Sequence, residues 1–142
     1  MAGPLMHMVE VKADAEKIYT ALSTGRGLAS FWTADSHAEP KQGSIARFGF
    51  GGPVLEMRVD ELKPGRRVRW ATHGGFDAWK GTTVTWDIKA GKDGVNEVWF
   101  SHEGWPEDLP AKDIASVNYT WGRIVGRLKD HAETGERVPY FP

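Results

Sequence analysis

The chain has 142 residues, with 18 Lys and Arg against 19 Asp and Glu and a net charge of -1, so it carries no electrostatic footprint for nucleic acid or an anionic membrane surface. It has no cysteine, which excludes disulfides, thiolate metal sites and a thiol nucleophile and fits a reducing cytoplasm. No apolar run approaches the ~20 residues of a membrane span, and the first residues lack the basic-then-apolar pattern of a signal segment.

The length predicts one domain, 1–142, able to bury ~68–70% of its unfolded surface. Within it, "LMHMVEVKA" alternates as a strand, with Leu5, His7, Val9 and Val11 on one face. Asp14 offers an N-cap oxygen, and Ile18, Ala21 and Leu22 follow at helical spacing to about Ser23. Gly25 and Gly27 interrupt that helix, and "GLASFW" adds another turn or two.

From residue 35 the period changes to two. Ala46, Phe48 and Phe50 share a face, then Gly51-Gly52-Pro53 turns the chain into a strand with Leu55, Met57 and Val59 inward. Pro64-Gly65 leads into Val68, Trp70 and Thr72, and Gly74-Gly75 into Thr82, Val84, Trp86 and Ile88. Gly91–Gly94 closes a hairpin onto Asn96, Val98, Phe100 and His102. Such short connections require antiparallel neighbours, and the charged alternate positions predict a sheet covered on one face only.

The cover is a helix from about Asp113 to Glu133. Asp108 and Pro110 announce its start, Asp108 as the cap, and Gly135 marks its stop. Its stripe runs Ile114, Val117, Trp121, Ile124 or Val125, and Leu128. These elements predict an α+β helix-grip architecture: a curved antiparallel sheet around a long C-terminal helix, with two short helices after the first strand.

Candidate chemistry concentrates in "SHEGWPED", residues 101–108. His102 faces inward at the end of the last strand, placed either as a general acid–base or as a polar anchor at a cavity rim. Ser101 points to the opposite face, so the pair is not a nucleophile and its base. His37 and Glu39 share a strand face, but no third metal ligand is spaced to join them. "GFGGP" lacks the lysine and the strand–loop–helix context of a phosphate loop. Lys63, Arg66, Arg67 and Arg69 lie beside Asp60 and Glu61 and read as the solvated outer face of the sheet. No cofactor motif is present.

The seven tryptophans carry the most information. Trp70, Trp86 and Phe48 fall on the inward face and Trp121 on the sheet-facing stripe; Trp32 and Trp105 sit at segment ends where a cavity would open. Either these rings line a pocket or they fill it. The candidate ligand-binding set is Trp32, Phe48, Met57, Trp70, Trp86, Phe100, His102, Trp105 and Trp121. Trp79 and Trp99 follow a different alternation; Trp99 points outward and leaves a homodimer contact open.

"VEVKADAEKIYTAL", Trp32, "WKGTTVTWDI", "NEVWFSHEGW" and the closing Trp121, Leu128-Lys129 and Thr134-Gly135 occur here in one order and spacing. In these features the chain resembles the START-like (SRPBCC) superfamily, and within it the bacterial relatives of the activator of the heat-shock-protein-ninety ATPase. The resemblance implies a sheet wrapped around a long helix with a hydrophobic cavity between them. The eukaryotic activator carries an additional chaperone-binding domain that has no counterpart in this sequence. Three functions follow as expectations: binding of an apolar or aromatic small molecule, a polyketide-cyclase or dehydratase activity using His102, or an activator-like protein-interaction module.

Overall fold

The structure, a computed structural model, describes residues 3–142. In chain order it contains β1 (Leu5–Val11), α1 (Ala15–Ser23), α2 (Gly25–Phe31), β2 (Asp35–His37), β3 (Ile45–Gly49), β4 (Val54–Lys63), β5 (Arg67–Gly74), β6 (Thr83–Ala90), β7 (Asn96–Glu103) and α3 (Ala111–Thr134). The strands form one seven-stranded sheet in the order β1-β7-β6-β5-β4-β3-β2, antiparallel throughout. Two register shifts in β4 supply local twist and help the sheet curl. This is the predicted α+β helix-grip fold.

Alternation places the core as expected. Leu55, Met57, Val68, Trp70, Val84, Trp86, Val98 and Phe100 are buried on the concave face, against Ile18, Leu22, Leu28, Phe31 and the α3 residues Trp121, Ile124, Val125 and Leu128. On the convex face Arg67 bonds Asp87 at 2.6 Å and Glu61 at 3.1 Å, while Arg58 meets Asp60 at 2.6 Å. Part of the basic cluster is therefore held by neighbouring carboxylates.

Three local expectations change. Helix α3 begins two residues earlier than predicted, with Pro110 at its N-cap, so Asp108 lies too far upstream to cap it. Asp14 occupies the cap position of α1, but its carbonyl rather than its side chain accepts the Ile18 N–H. Glu39 falls beyond the end of β2 and shares no strand face with His37, which instead meets Asp35 at 2.8 Å.

Two close approaches hold the helices. A Cβ on Gly27 would overlap the backbone of Ala21, so α1 and α2 pack in contact only because residue 27 has none. The second approach joins α3 to the sheet through His102, which is fully buried. The Trp121 indole N–H donates to His102 Nδ1 at 3.0 Å. An indole nitrogen only donates, so Nδ1 is unprotonated and Nε2 carries the proton. Nε2 then donates to Thr82 Oγ1 at 2.9 Å, and Thr82 donates onward to the Trp79 carbonyl at 2.6 Å. The Trp105 N–H closes the group on the His102 carbonyl at 3.0 Å.

Burial pushes the His102 pKa down to about 3. The ring is thus neutral in the folded protein, whereas the unfolded chain protonates it below about pH 6.5. Its stabilising contribution is complete above pH 6.5 and is lost at about 1.4 kcal/mol per pH unit as the pH falls toward 3. Urea unfolding at stepped pH, above the range where carboxylates titrate, should show this slope, and His102→Gln should flatten it. The same variant should cost about 1–3 kcal/mol at neutral pH, because Trp121 and Thr82 lose a buried partner. An undiminished slope in the variant would assign the pH sensitivity to another group. Gly27→Ala should destabilise by about 1–3 kcal/mol despite alanine's better helix propensity, since the Ala21 backbone must move. A neutral result in the same unfolding assay would show that α1 and α2 separate freely.

Candidate functional site

Helix α3 buries its apolar stripe unevenly. From Trp121 onward the stripe is sealed against the sheet, but Val117 and Ile114, one and two turns nearer the N-terminus, are only partly covered. A cleft of about 250 Å³ opens beneath this first half of the helix. Its walls are Trp32 at the end of α2, Phe50 after β3, Phe76 and Trp79 from the 3-10 turn between β5 and β6, and Phe141 near the C-terminus. Ser116, Val117, Thr120, Trp121 and Ile124 of α3 complete it.

The walls are held by aromatic contacts. Phe50 meets Phe141 edge-on at 5.1 Å between ring centroids and Phe76 at 5.6 Å, and Phe76 meets Trp79 edge-on at 5.3 Å. Trp32 lies 5.0 Å from Trp121 and closes the inner end. Phe141 reaches the cleft because the tail runs beside α2 and β2: its N–H donates to the Trp32 carbonyl at 2.9 Å, and its own carbonyl accepts from Ala34 at 2.9 Å. None of the lining side chains is titratable; apart from the tryptophan indole N–H donors, the only polar side-chain groups are the hydroxyls of Ser116 and Thr120. Such a surface excludes water and offers π faces. It supplies no acid, base or metal ligand.

The candidate ligand-binding residues separate into three groups. Trp32 and Trp121 line the cleft. Phe48, Met57, Trp70, Trp86 and Phe100 lie behind it, each at most 1% exposed, and fill the space between the sheet and the sealed half of α3. Trp70 lies 6.0 Å from Trp32 with nearly parallel rings, and Phe100 packs 4.5 Å from Trp121. His102 and Trp105 form the third group, packed edge-on against the far side of Trp79 with ring centroids 4.5 and 6.0 Å away. There both His102 ring nitrogens are engaged, and Nδ1 has no lone pair left to take a proton from a ligand. Among the described residues no three His, Asp or Glu side chains converge as metal ligands.

Sequence reasoning missed Phe76, Trp79 and Phe141 as walls. Phe50 and Val117 were placed on the correct faces by their period, but that period carries no sign of where the helix lifts off. The Trp79 turn and the C-terminal tail have no period at all.

The family model "Activator of Hsp90 ATPase homolog 1-like protein" matches residues 12–133. Among solved structures, the Aha1 dimer from Colwellia psychrerythraea is 32% identical, with a TM-score of 0.84 over 95% of this chain and 98% of that one. DynU16, a protein of the dynemicin biosynthetic locus, is 24% identical with a TM-score of 0.79, covering 99% of this chain and 51% of its own. Bacillus halodurans protein BH1534 is 18% identical with a TM-score of 0.78, covering 93% and 98%. The last two share the fold alone. No curated protein matches the chain. With the family match spanning most of its length and a relative of the same size and topology, the chain belongs to the Activator of Hsp90 ATPase homolog 1-like family and is a START-like, helix-grip protein.

Proposed function

We propose that the protein binds a small apolar or aromatic molecule in the cleft under the first half of α3 and releases it unchanged. One observation carries this reading: the cleft is walled by aromatic and aliphatic side chains and contains no titratable group. Its volume of about 250 Å³ lies below the ~300–1,000 Å³ of most ligand pockets, which favours one or two fused rings over a steroid-sized molecule. The hydroxyls of Ser116 and Thr120 give such a ligand a place for a single polar substituent.

A cyclase or dehydratase activity has less support, because the one histidine near the cleft lies behind Trp79 with both nitrogens engaged. The cytoplasm is the proposed compartment; among the described residues no helix is long and apolar enough to cross a membrane. The relative from Colwellia psychrerythraea is a dimer, and a homodimer is the proposed assembly here as well.

2-Naphthol is a suitable probe. Roughly ten heavy atoms at ~0.5 kcal/mol each, between the limits for tiny and drug-sized ligands, correspond to a Kd near ~0.2 mM. It should quench tryptophan emission through Trp32 and Trp79 and raise Tm with the logarithm of its concentration. Val117→Trp fills the cleft from α3 and should abolish both signals while leaving the fold intact. Binding that survives Val117→Trp would place the probe elsewhere. If neither 2-naphthol nor a panel of apolar compounds gives a signal up to the solubility limit, the activator-like interaction module becomes the better reading.

A further inference from the structure

The two edges of the sheet are guarded differently. Strand β2 is three residues long and flanks itself with exposed Asp35 and His37, and Thr33 just before it is bridged to Phe141. Charge, shortness and cover are the usual protections of a sheet edge. Strand β1 is seven residues long, and the side chains on its convex face include Met6 at 55% and Met8 at 43% exposure. Met8 lies directly opposite Trp99 of β7, whose ring carries Lys89 at 5.1 Å. Two methionines on an edge strand beside a half-covered indole form an adhesive seam rather than a protected one.

We propose that this edge pairs with the β1 edge of a second copy of the chain, joining two sheets antiparallel across a two-fold axis at His7. The inference rests on the homodimer reading above and assigns its surface. In an antiparallel ladder successive residues turn their N–H and C=O alternately toward and away from the neighbour. The outward set is marked by its satisfied members: the Glu10 carbonyl accepts from Lys129 Nζ at 2.7 Å, and the Lys12 N–H donates to Glu133 at 2.8 Å. Met6 and Met8 belong to the same set; α3 runs along the concave side of β1, and among the described residues no hydrogen bond from a side chain or another segment reaches the outward backbone groups of Met6 and Met8.

Those caps select the register. Pairing Met8 with its own copy sets Met6 against Glu10, whose carbonyl is already taken. Pairing Met6 with its own copy sets Met8 against Pro4, which has no N–H. Only Met6 against Met8 of the second copy uses every free group, giving four backbone hydrogen bonds around the axis. The same register brings Met6, Met8 and Trp99 of both copies together on the convex face. A self-complementary patch is what a two-fold contact requires, and its neutral side chains impose no like-charge cost. A seam this short buries less than the ~1,000 Å² of a stable interface, so the dimer should be concentration-dependent.

Sedimentation velocity over a concentration series, with amide exchange measured at both ends, tests the proposal. Expected are a monomer–dimer equilibrium and slower exchange of the Met6 and Met8 amides at high concentration only. The double variant Met6→Lys/Met8→Lys should weaken association at least tenfold while leaving Tm in dilute solution and 2-naphthol quenching unchanged. A monomer at every concentration would overturn both this inference and the homodimer reading. A dimer whose Met6 and Met8 amides exchange freely, or which ignores the two lysines, would overturn the β1 seam and leave the homodimer reading standing. The cleft reading stands or falls separately, on the Val117→Trp result.

Discussion

The hydrogen bond from the Trp121 indole to His102 Nδ1 is the constraint on which the rest of this structure depends. Among the described residues it is the one side-chain hydrogen bond from the buried stripe of α3 to the sheet; Lys129 and Glu133, at the rim of the helix, add bonds to the Glu10 carbonyl and the Lys12 N–H. The rest of the buried contact is apolar, which fixes proximity but not rotation. An imidazole with one acceptor and one donor orients two partners at once. Trp121 is locked on the helix side and Thr82 on the strand side, and through Thr82 the turn bearing Trp79 is drawn down onto the histidine. The arrangement holds only while the ring is neutral, and burial keeps it so.

That lock divides the helix. Toward the C-terminus, large side chains fill the space under α3, and Trp70, Trp86 and Phe100 leave no room for a guest. Toward the N-terminus the sheet curls away, the tail supplies Phe141, and the walls stand apart. Whether the tryptophans line a pocket or fill it thus has a positional answer. Those inside the curl fill it, and those at its open end line it.

Much of the fold was legible because half-buried antiparallel strands write their geometry into the sequence every second residue. Ala46 to Phe50, Leu55 to Val59 and Val98 to His102 each declare which face is covered. The glycine and proline turns between them leave no topology but a meander. The site was less legible for three reasons. His102 looks the same from its alternation whether its nitrogens face a ligand or a tryptophan, since partner choice is set by residues distant in sequence. Phe76 and Trp79 lie on a 3-10 turn and Phe141 on an irregular tail, and neither carries a period to read. Where a uniform stripe such as Ile114 to Leu128 stops touching the sheet is decided by sheet curvature, which no single residue encodes.

The packing of the indoles has an optical consequence. Trp32, Trp70, Trp86 and Trp121 form a continuous chain of rings, with neighbouring centroids between 5.0 and 6.2 Å apart. At such separations electronic excitation hops between rings faster than any one of them radiates. The four therefore act as one energy-transfer network whose light leaves from the lowest-energy member. Coupled transitions of this kind also contribute circular dichroism of their own in the far ultraviolet, so the apparent helix content of this protein in solution will carry the signature of its tryptophans as well as its backbone.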